Sequence, residues 1–343
     1  MKATFKDIAK LIFFLGIGFL FIWLFVRRLN SGEKQEILLS IKNANYLWLG
    51  FAVILGVLSH VLRALRWKML LKPIGYKPKN LNIISAVFLG YFANLAFPRL
   101  GEIIRCTILT KYEKIPFTKS FGTVITERTV DVFMFLLAFL FTFALQGKLL
   151  SDYMQERFYQ PLTEKINLSI GFFQLILIIT VAVVVISAII WFLFKNKIKK
   201  HSFYHKVVKL LKGFVEGIIS LFKIKRIWSF IFLSFAIWGL YFLMAYVVFF
   251  SLPSCSHLTP VTGLATLTFG TIGIILVPGG IGIYPVIVSE VLYIYGVATT
   301  QGYAMGWLIW ISQNLAILVV GIFAIVLLPI INKKHERQLN ANN

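Results

Sequence analysis

The sequence predicts an all-α polytopic membrane protein with six full spans and two opposed broken, re-entrant helical hairpins, ordered like an inverted repeat. Three observations predict it. Of 343 residues, 59% are hydrophobic and 14% charged, with a mean hydropathy of +0.83, which is more apolar than a soluble domain of this length needs for its core. Apolar runs near or above the roughly 20 residues that cross a bilayer recur along the chain. Two further apolar regions are interrupted by Pro and Gly. Residues 1–343 therefore read as a single integral membrane domain.

The first run, 8–26, follows Lys2, Lys6 and Lys10 and resembles a signal peptide. Arg27 and Arg28 follow it and no A-x-A cleavage site appears, so it is expected to stay as the first membrane helix. The second run, 46–62, leads into LRALRWKMLLK (62–72). Here Arg63, Arg66 and Lys68 around Trp67 match an interfacial anchor, with the ring at headgroup level and the cations toward phosphates. Residues 82–110 break at Pro98 and Gly101 into pieces of 16 and 10 residues, both short of the roughly 30 Å hydrocarbon thickness. Full runs follow at 120–146 and 168–194. After the loop 195–227 come a run at 228–250, the broken region 259–296 and a last run at 303–328. The second break is VPGGIG (277–282), containing Pro278, Gly279, Gly280 and Gly282. Broken apolar hairpins persist only where their free backbone groups are buried in protein or line a wet cavity, so both breaks are candidate site walls or gates. The alternative is that Pro and Gly merely kink ordinary membrane helices.

The net charge of +22 would suggest nucleic acid in a soluble protein, but the cations fall between the apolar segments. Positive-inside topology and attraction to anionic lipid account for them, and no nucleic-acid partner is expected. The segment 195–226 holds ten Lys and Arg and is placed in the cytoplasm, whereas SLPSCSHL (251–258) holds none and fits the outside. Working outward puts both termini in the cytoplasm of a bacterial inner membrane. The first hairpin then opens from the cytoplasm and the second from outside, as expected of an inverted-repeat transporter with a midplane site. Within the basic loop, Val207, Leu211, Phe214, Ile218 and Phe222 recur at helical spacing, so either an amphipathic helix lies on the anionic leaflet or the loop is simply solvated.

Charge at membrane depth is costly, so the few such residues carry the functional question. Arg99, Glu102 and Arg105 stand in the first hairpin, Glu127, Arg128 and Asp131 in TERTVD (126–131), and Glu290 after the second break. Two readings remain open. A buried ion network would pin the hairpin against 120–146. Alternatively the arginines present planar donor forks to a lipid phosphate, with the carboxylates orienting them and a helix start near Gly101 adding N–H groups. Glu127, Asp131 and Glu290 are the carboxylates suited to proton coupling. No catalytic motif, nucleophile or metal-ligand spacing appears, so the chain is expected to be no enzyme and to need no cofactor or metal. Cys106 and Cys255 read as small apolar residues.

The run RALRWKMLL (63–71), the block GYFANLAFPRLGEIIRCTILTKYEKIPFTKSFGTVITERTVDVF (90–133) and PGGIGIYP (278–285) resemble the flippase-like family formed by the membrane region of lysylphosphatidylglycerol synthases. Asn94, Pro98, Gly101, Glu102, Arg105, Glu127, Arg128 and Asp131 match its N-x-x-x-P…G-E-x-x-R…E-R-x-x-D pattern. The resemblance covers about 10–330. It implies lipid translocation or binding without aminoacyl transfer, because only about a dozen residues follow the last run. Two positions depart from the family pattern: Pro285 stands where an acidic residue is common, and Trp310 near a common arginine. The expected partners are anionic membrane lipids, a phospholipid or a polyprenyl phosphate. The competing expectation is a non-catalytic adaptor that presents a lipid to a glycosyltransferase or another lipid-modifying membrane enzyme.

Overall fold

The computed structural model describes residues 5–96, 99–156, 160 and 224–341. The expected span 168–194, the basic segment 195–227 up to residue 223, and Pro98 lie outside the described residues. Every regular element described is helical: α1 (Phe5–Val26), α2 (Ser31–Lys42), α3 (Tyr46–Leu71), α4 (Asn80–Ala96), α5 (Leu100–Glu113), α6 (Phe117–Met154), α7 (Ile227–Val247), α8 (Pro260–Leu276), α9 (Ile283–Ile294) and α10 (Thr299–Ala341). By length and composition, four stretches among the described residues can cross a bilayer: Tyr46–Ile74, Phe117–Leu149, Ile227–Ser251 and Thr299–Lys333. The expected run 8–26 is helical within α1.

Helix α2 falls in what the apolar pattern leaves as loop. Its start is set by NSGE: the Asn30 side chain accepts from the Glu33 N–H at 2.8 Å, and the Glu33 carboxylate accepts from the Asn30 N–H at 2.7 Å. That reciprocal capping box satisfies two N–H groups that a helix start otherwise leaves open. The segment is too polar to register as a span, so periodic hydrophobicity misses it.

Helices α3, α7 and α10 form the central wall. At one end the Asn45 N–H donates to the Ser251 carbonyl at 2.9 Å; halfway, Gly56 lies against Met244 and Ala316; further on, Arg66 reaches Ser234. These pairings make α3 antiparallel to α7, whereas α10 runs parallel to α3, with Gln301 near its start bonded to Ser254 and Ala316 further along against Gly56. Two apolar cores result, one near the start of α3 with Val248, Phe249 and Met305, the other near its end with Trp67, Val87 and Leu109. Cys106 and Cys255 are both buried free thiols. In the turn before α8, burial pushes the Cys255 thiol up to about 11, with the Ser254 hydroxyl opposing the shift, so it stays protonated and unreactive.

Both interrupted regions are antiparallel hairpins. In the first, α4 and α5 meet so closely at Gly90 and Gly101 that a Cβ on Gly101 would lie 2.0 Å from the Gly90 carbonyl oxygen. Arg99, just before α5, has φ 66, a left-handed conformation that costs a non-glycine residue energy. Asn94 spans the break by accepting from the Gly101 N–H at 2.7 Å. In the second, Gly279, Gly280 and Gly282 all have positive φ, 74, 68 and 75, which glycine adopts without penalty. A Cβ on Gly282 would also come within 2.1 Å of the Gly18 carbonyl oxygen, so α1 packs on this turn.

The two breaks approach each other along α10. Asn82 and Asn332 exchange side-chain hydrogen bonds at 2.9 and 3.1 Å, and Phe92 covers Gly321, so α4 runs antiparallel to α10 and ends near the turn that holds Trp310. The Trp310 indole N–H donates to the Gly279 carbonyl at 2.7 Å, and the 278–280 turn packs on α4.

Candidate functional site

Arg63 lies about 26 Å along α3 from Tyr46 at 1.5 Å per residue, toward the end where Lys68 donates to Asn80 at 2.7 Å. One turn later stands Arg66. Positions three apart share a helix face, so both guanidinium groups turn inward together. Four-residue spacing does the same for Glu127 and Asp131 on α6, and α5 brings in Arg105.

These five side chains form one cluster. The Arg63 Nε lies 2.8 Å from Glu127 Oε1, its Nη2 pairs with Asp131, and its Nη1 donates to the Tyr241 hydroxyl at 2.9 Å. Arg66 donates to Asp131 Oδ1 at 2.6 Å and to the Ser234 hydroxyl at 3.2 Å. Arg105 pairs with Glu127 Oε2 and stacks 4.1 Å from the Trp67 ring centroid. Trp67 is fixed by donating to Thr123 Oγ1 at 2.8 Å, while Tyr91 lies under Arg63 at 5.5 Å. Arg66 and Glu127 are fully buried, and Arg63 and Arg105 are 3% exposed. Asp131 is the open member, at 14%.

Three guanidinium groups therefore share two carboxylates, leaving a buried excess of one positive charge. Desolvating an ion costs several kcal/mol, and paired groups recover that only with good geometry and full hydrogen bonding. The cluster falls short of the second condition: the Nε atoms of Arg66 and Arg105 are buried with no hydrogen-bond partner among the described residues.

The sequence-derived residues separate into groups. Arg105, Glu127 and Asp131 join the cluster. Glu102 and Arg128 form their own bridge at 2.6 Å, with Arg128 40% exposed; Glu102 thus pairs across to α6 rather than with Arg99 or Arg105 on its own hairpin. Arg99 is exposed at the break and joins neither group. Glu290 accepts from the Tyr153 hydroxyl at 2.7 Å, away from the arginines.

The interfacial-anchor reading of 62–72 is overturned. Trp67 and Arg66 are fully buried and Arg63 nearly so, because the carboxylates of α6 supply partners that a headgroup would otherwise provide. Arg63 and Arg66 are thus the principal residues sequence reasoning placed wrongly. Their shared-face spacing, matched to that of Glu127 and Asp131, was the available signal.

The charged cluster and both glycine turns are built from the same sequence blocks that suggested a family. The membrane-region model of that family matches residues 8–321. The chain belongs to the lysylphosphatidylglycerol synthase TM region family. Among similar proteins, a UPF0104 membrane protein of Methanocaldococcus jannaschii is 35% identical over 137 residues, covering 39% of this chain and 40% of that protein. One from Pyrococcus horikoshii is 25% identical over 291 residues, 78% of this chain and 82% of that protein. The glycosyltransferase AglD of Haloferax volcanii is 27% identical over 101 residues, 29% of this chain and 16% of that protein. No solved structure matches the chain. As a member of the lysylphosphatidylglycerol synthase TM region family, the protein is a multi-pass membrane protein, and four of the five clustered side chains lie on stretches long and apolar enough to cross a bilayer, Tyr46–Ile74 and Phe117–Leu149.

Proposed function

We propose that this protein binds the phosphate of an anionic lipid, a phospholipid or a polyprenyl phosphate, and carries that lipid between leaflets. The observation that carries the reading is the buried charge imbalance: Arg63, Arg66 and Arg105 face two carboxylates. A brace alone is best built neutral, since an unmatched buried cation lowers stability. A site for an anionic headgroup is best left positive, and arginine forks match phosphate oxygens bidentately. The first broken hairpin carries Arg105 into the cluster and the second packs its turn on α4, backbone of the kind that membrane proteins place at cargo paths. The distribution of Lys and Arg supports a cytoplasmic membrane with both termini inside and the cluster nearer the cytoplasmic leaflet. No catalytic step belongs to this reading, and Glu290 with its Tyr153 partner is the group suited to coupling.

The test is reconstitution in phosphatidylcholine vesicles carrying a fluorescent phosphatidylglycerol or polyprenyl phosphate in both leaflets. Dithionite, which cannot cross the bilayer, quenches outer label only. Wild-type protein is expected to carry quenching past half of the label, and Arg105→Ala to stop it at half. Quenching that stops at half for wild type with either lipid defeats the translocation reading.

The adaptor reading has one observation of its own, the segment shared with a relative named a glycosyltransferase. It requires that purified protein bind lipid yet leave quenching at half until a partner enzyme is added.

A further inference from the structure

Asp131 differs from every other member of the cluster. It is the one with measurable exposure, 14%, beside neighbours at 0–3%. It also has the fewest arginine partners, two against the three of Glu127. What it holds are the terminal Nη2 atoms of Arg63 and Arg66, which converge on its two oxygens. Two convergent guanidinium nitrogens on two oxygens of one planar anion is the arrangement arginine offers to a phosphate.

The geometry points to Asp131 as an internal stand-in for the cargo's phosphate: it occupies the Arg63–Arg66 fork when the site is empty, and the lipid phosphate binds by displacing it. This inference rests on the lipid-binding reading above and adds how the site is kept closed. Charge favours the exchange. Without Asp131 the three arginines and Glu127 sum to +2, so a phosphate of one or two negative charges enters without raising the net charge of the cluster. The buried Nε atoms of Arg66 and Arg105 are the donors that a second phosphate oxygen would find. Glu127 stays behind as the fixed counter-ion, and Tyr241 and Ser234 keep the two arginines aimed.

A latch and a brace make opposite predictions for Asp131→Asn, which removes the charge and keeps the shape. Purified full-length protein is titrated with phosphatidylglycerol in neutral detergent and read by native mass spectrometry, with phosphatidylcholine and inorganic phosphate as parallel arms. The latch predicts that Asp131→Asn retains phosphatidylglycerol about tenfold more tightly than wild type, the worth of one charge-assisted contact no longer competed for. Phosphatidylcholine, whose headgroup carries no net charge, is expected to gain far less. Retention equal to or weaker than wild type overturns the latch while leaving the lipid-binding reading standing. Failure of wild type and variant alike to retain any anion overturns both. An equal gain for inorganic phosphate upholds the latch and assigns it to free phosphate. If Asp131→Asn does not stay folded in neutral detergent, the latch requires phosphatidylglycerol to restore a monodisperse protein, and failure to do so overturns it.

Discussion

The two broken hairpins use the same device and hold it by different physics. In α4–α5 the break is followed by a helix that carries charge into the bundle, and its position is fixed by ion pairs from α5 to α6, where Arg105 meets Glu127 and Glu102 meets Arg128. The arms of α8–α9 contain Glu290 as their one charged residue. Their turn is fixed by three glycines at positive φ, by contact with Gly18, and by the indole of Trp310. One hairpin is therefore electrostatic and specific about which residues face it. The other is a backbone shape closed by neutral groups, suited to moving as a unit because no buried ion pair among the described residues must break.

Removing the electrostatic anchor is the strongest way to break that contrast. Glu127→Gln leaves Arg63, Arg66 and Arg105 with Asp131 alone, and loss of one partner from a buried ion pair costs about 3–5 kcal/mol. Thermal unfolding in detergent is expected to show the largest loss of any single change. A shift no larger than that of a surface variant would mean the cluster holds little of the fold.

Next come the close approaches. Gly101→Ala drives a methyl into the Gly90 carbonyl and Gly282→Ala drives one into Gly18 while straining a positive φ. Overpacking of this kind typically costs about 1–3 kcal/mol. Both are expected to lower the unfolding temperature, with cysteine crosslinking across each hairpin reporting which arm moved. Equal crosslinking to wild type in both would show that the helices tolerate the added carbon.

Trp310→Phe tests the neutral closure alone. It keeps the ring and removes the donor to Gly279, a loss of about 1 kcal/mol. Increased hydrogen exchange is expected at 277–282 and unchanged exchange at 99–105. Exchange that rises equally at both breaks would show them to be one mechanical unit.

The smallest effect is expected from Arg128→Ala. Its bridge to Glu102 is 40% exposed on the arginine side, and open pairs contribute about 0–1 kcal/mol and weaken with salt. A loss as large as that of Glu127→Gln would place this bridge inside the site.

Much of this was legible in the chain. Apolar runs fixed the helices α3, α6, α7 and α10, and the interruptions at Gly101 and VPGGIG located both turns, because a membrane-embedded backbone declares its breaks through glycine and proline. Arg105, Glu127 and Asp131 stood out because charge in an apolar run is costly wherever it points. The sequence left open which partners those charges choose. Arg63 and Arg66 look the same along the chain whether they reach outward to headgroups or inward to α6; only the packing of α3 against α6 and α7 decides, since it supplies Glu127, Asp131, Tyr241 and Ser234 at bonding distance. Arg99 is the converse, marked by its apolar surroundings and left exposed by the turn that precedes α5. Sequence by itself determined where four membrane-length helices run, where two apolar regions break and that charge stands among apolar residues, since hydropathy and backbone freedom are local properties. Tertiary structure alone decided the net charge of the buried cluster, because counting a charge as buried requires knowing which helix covers it.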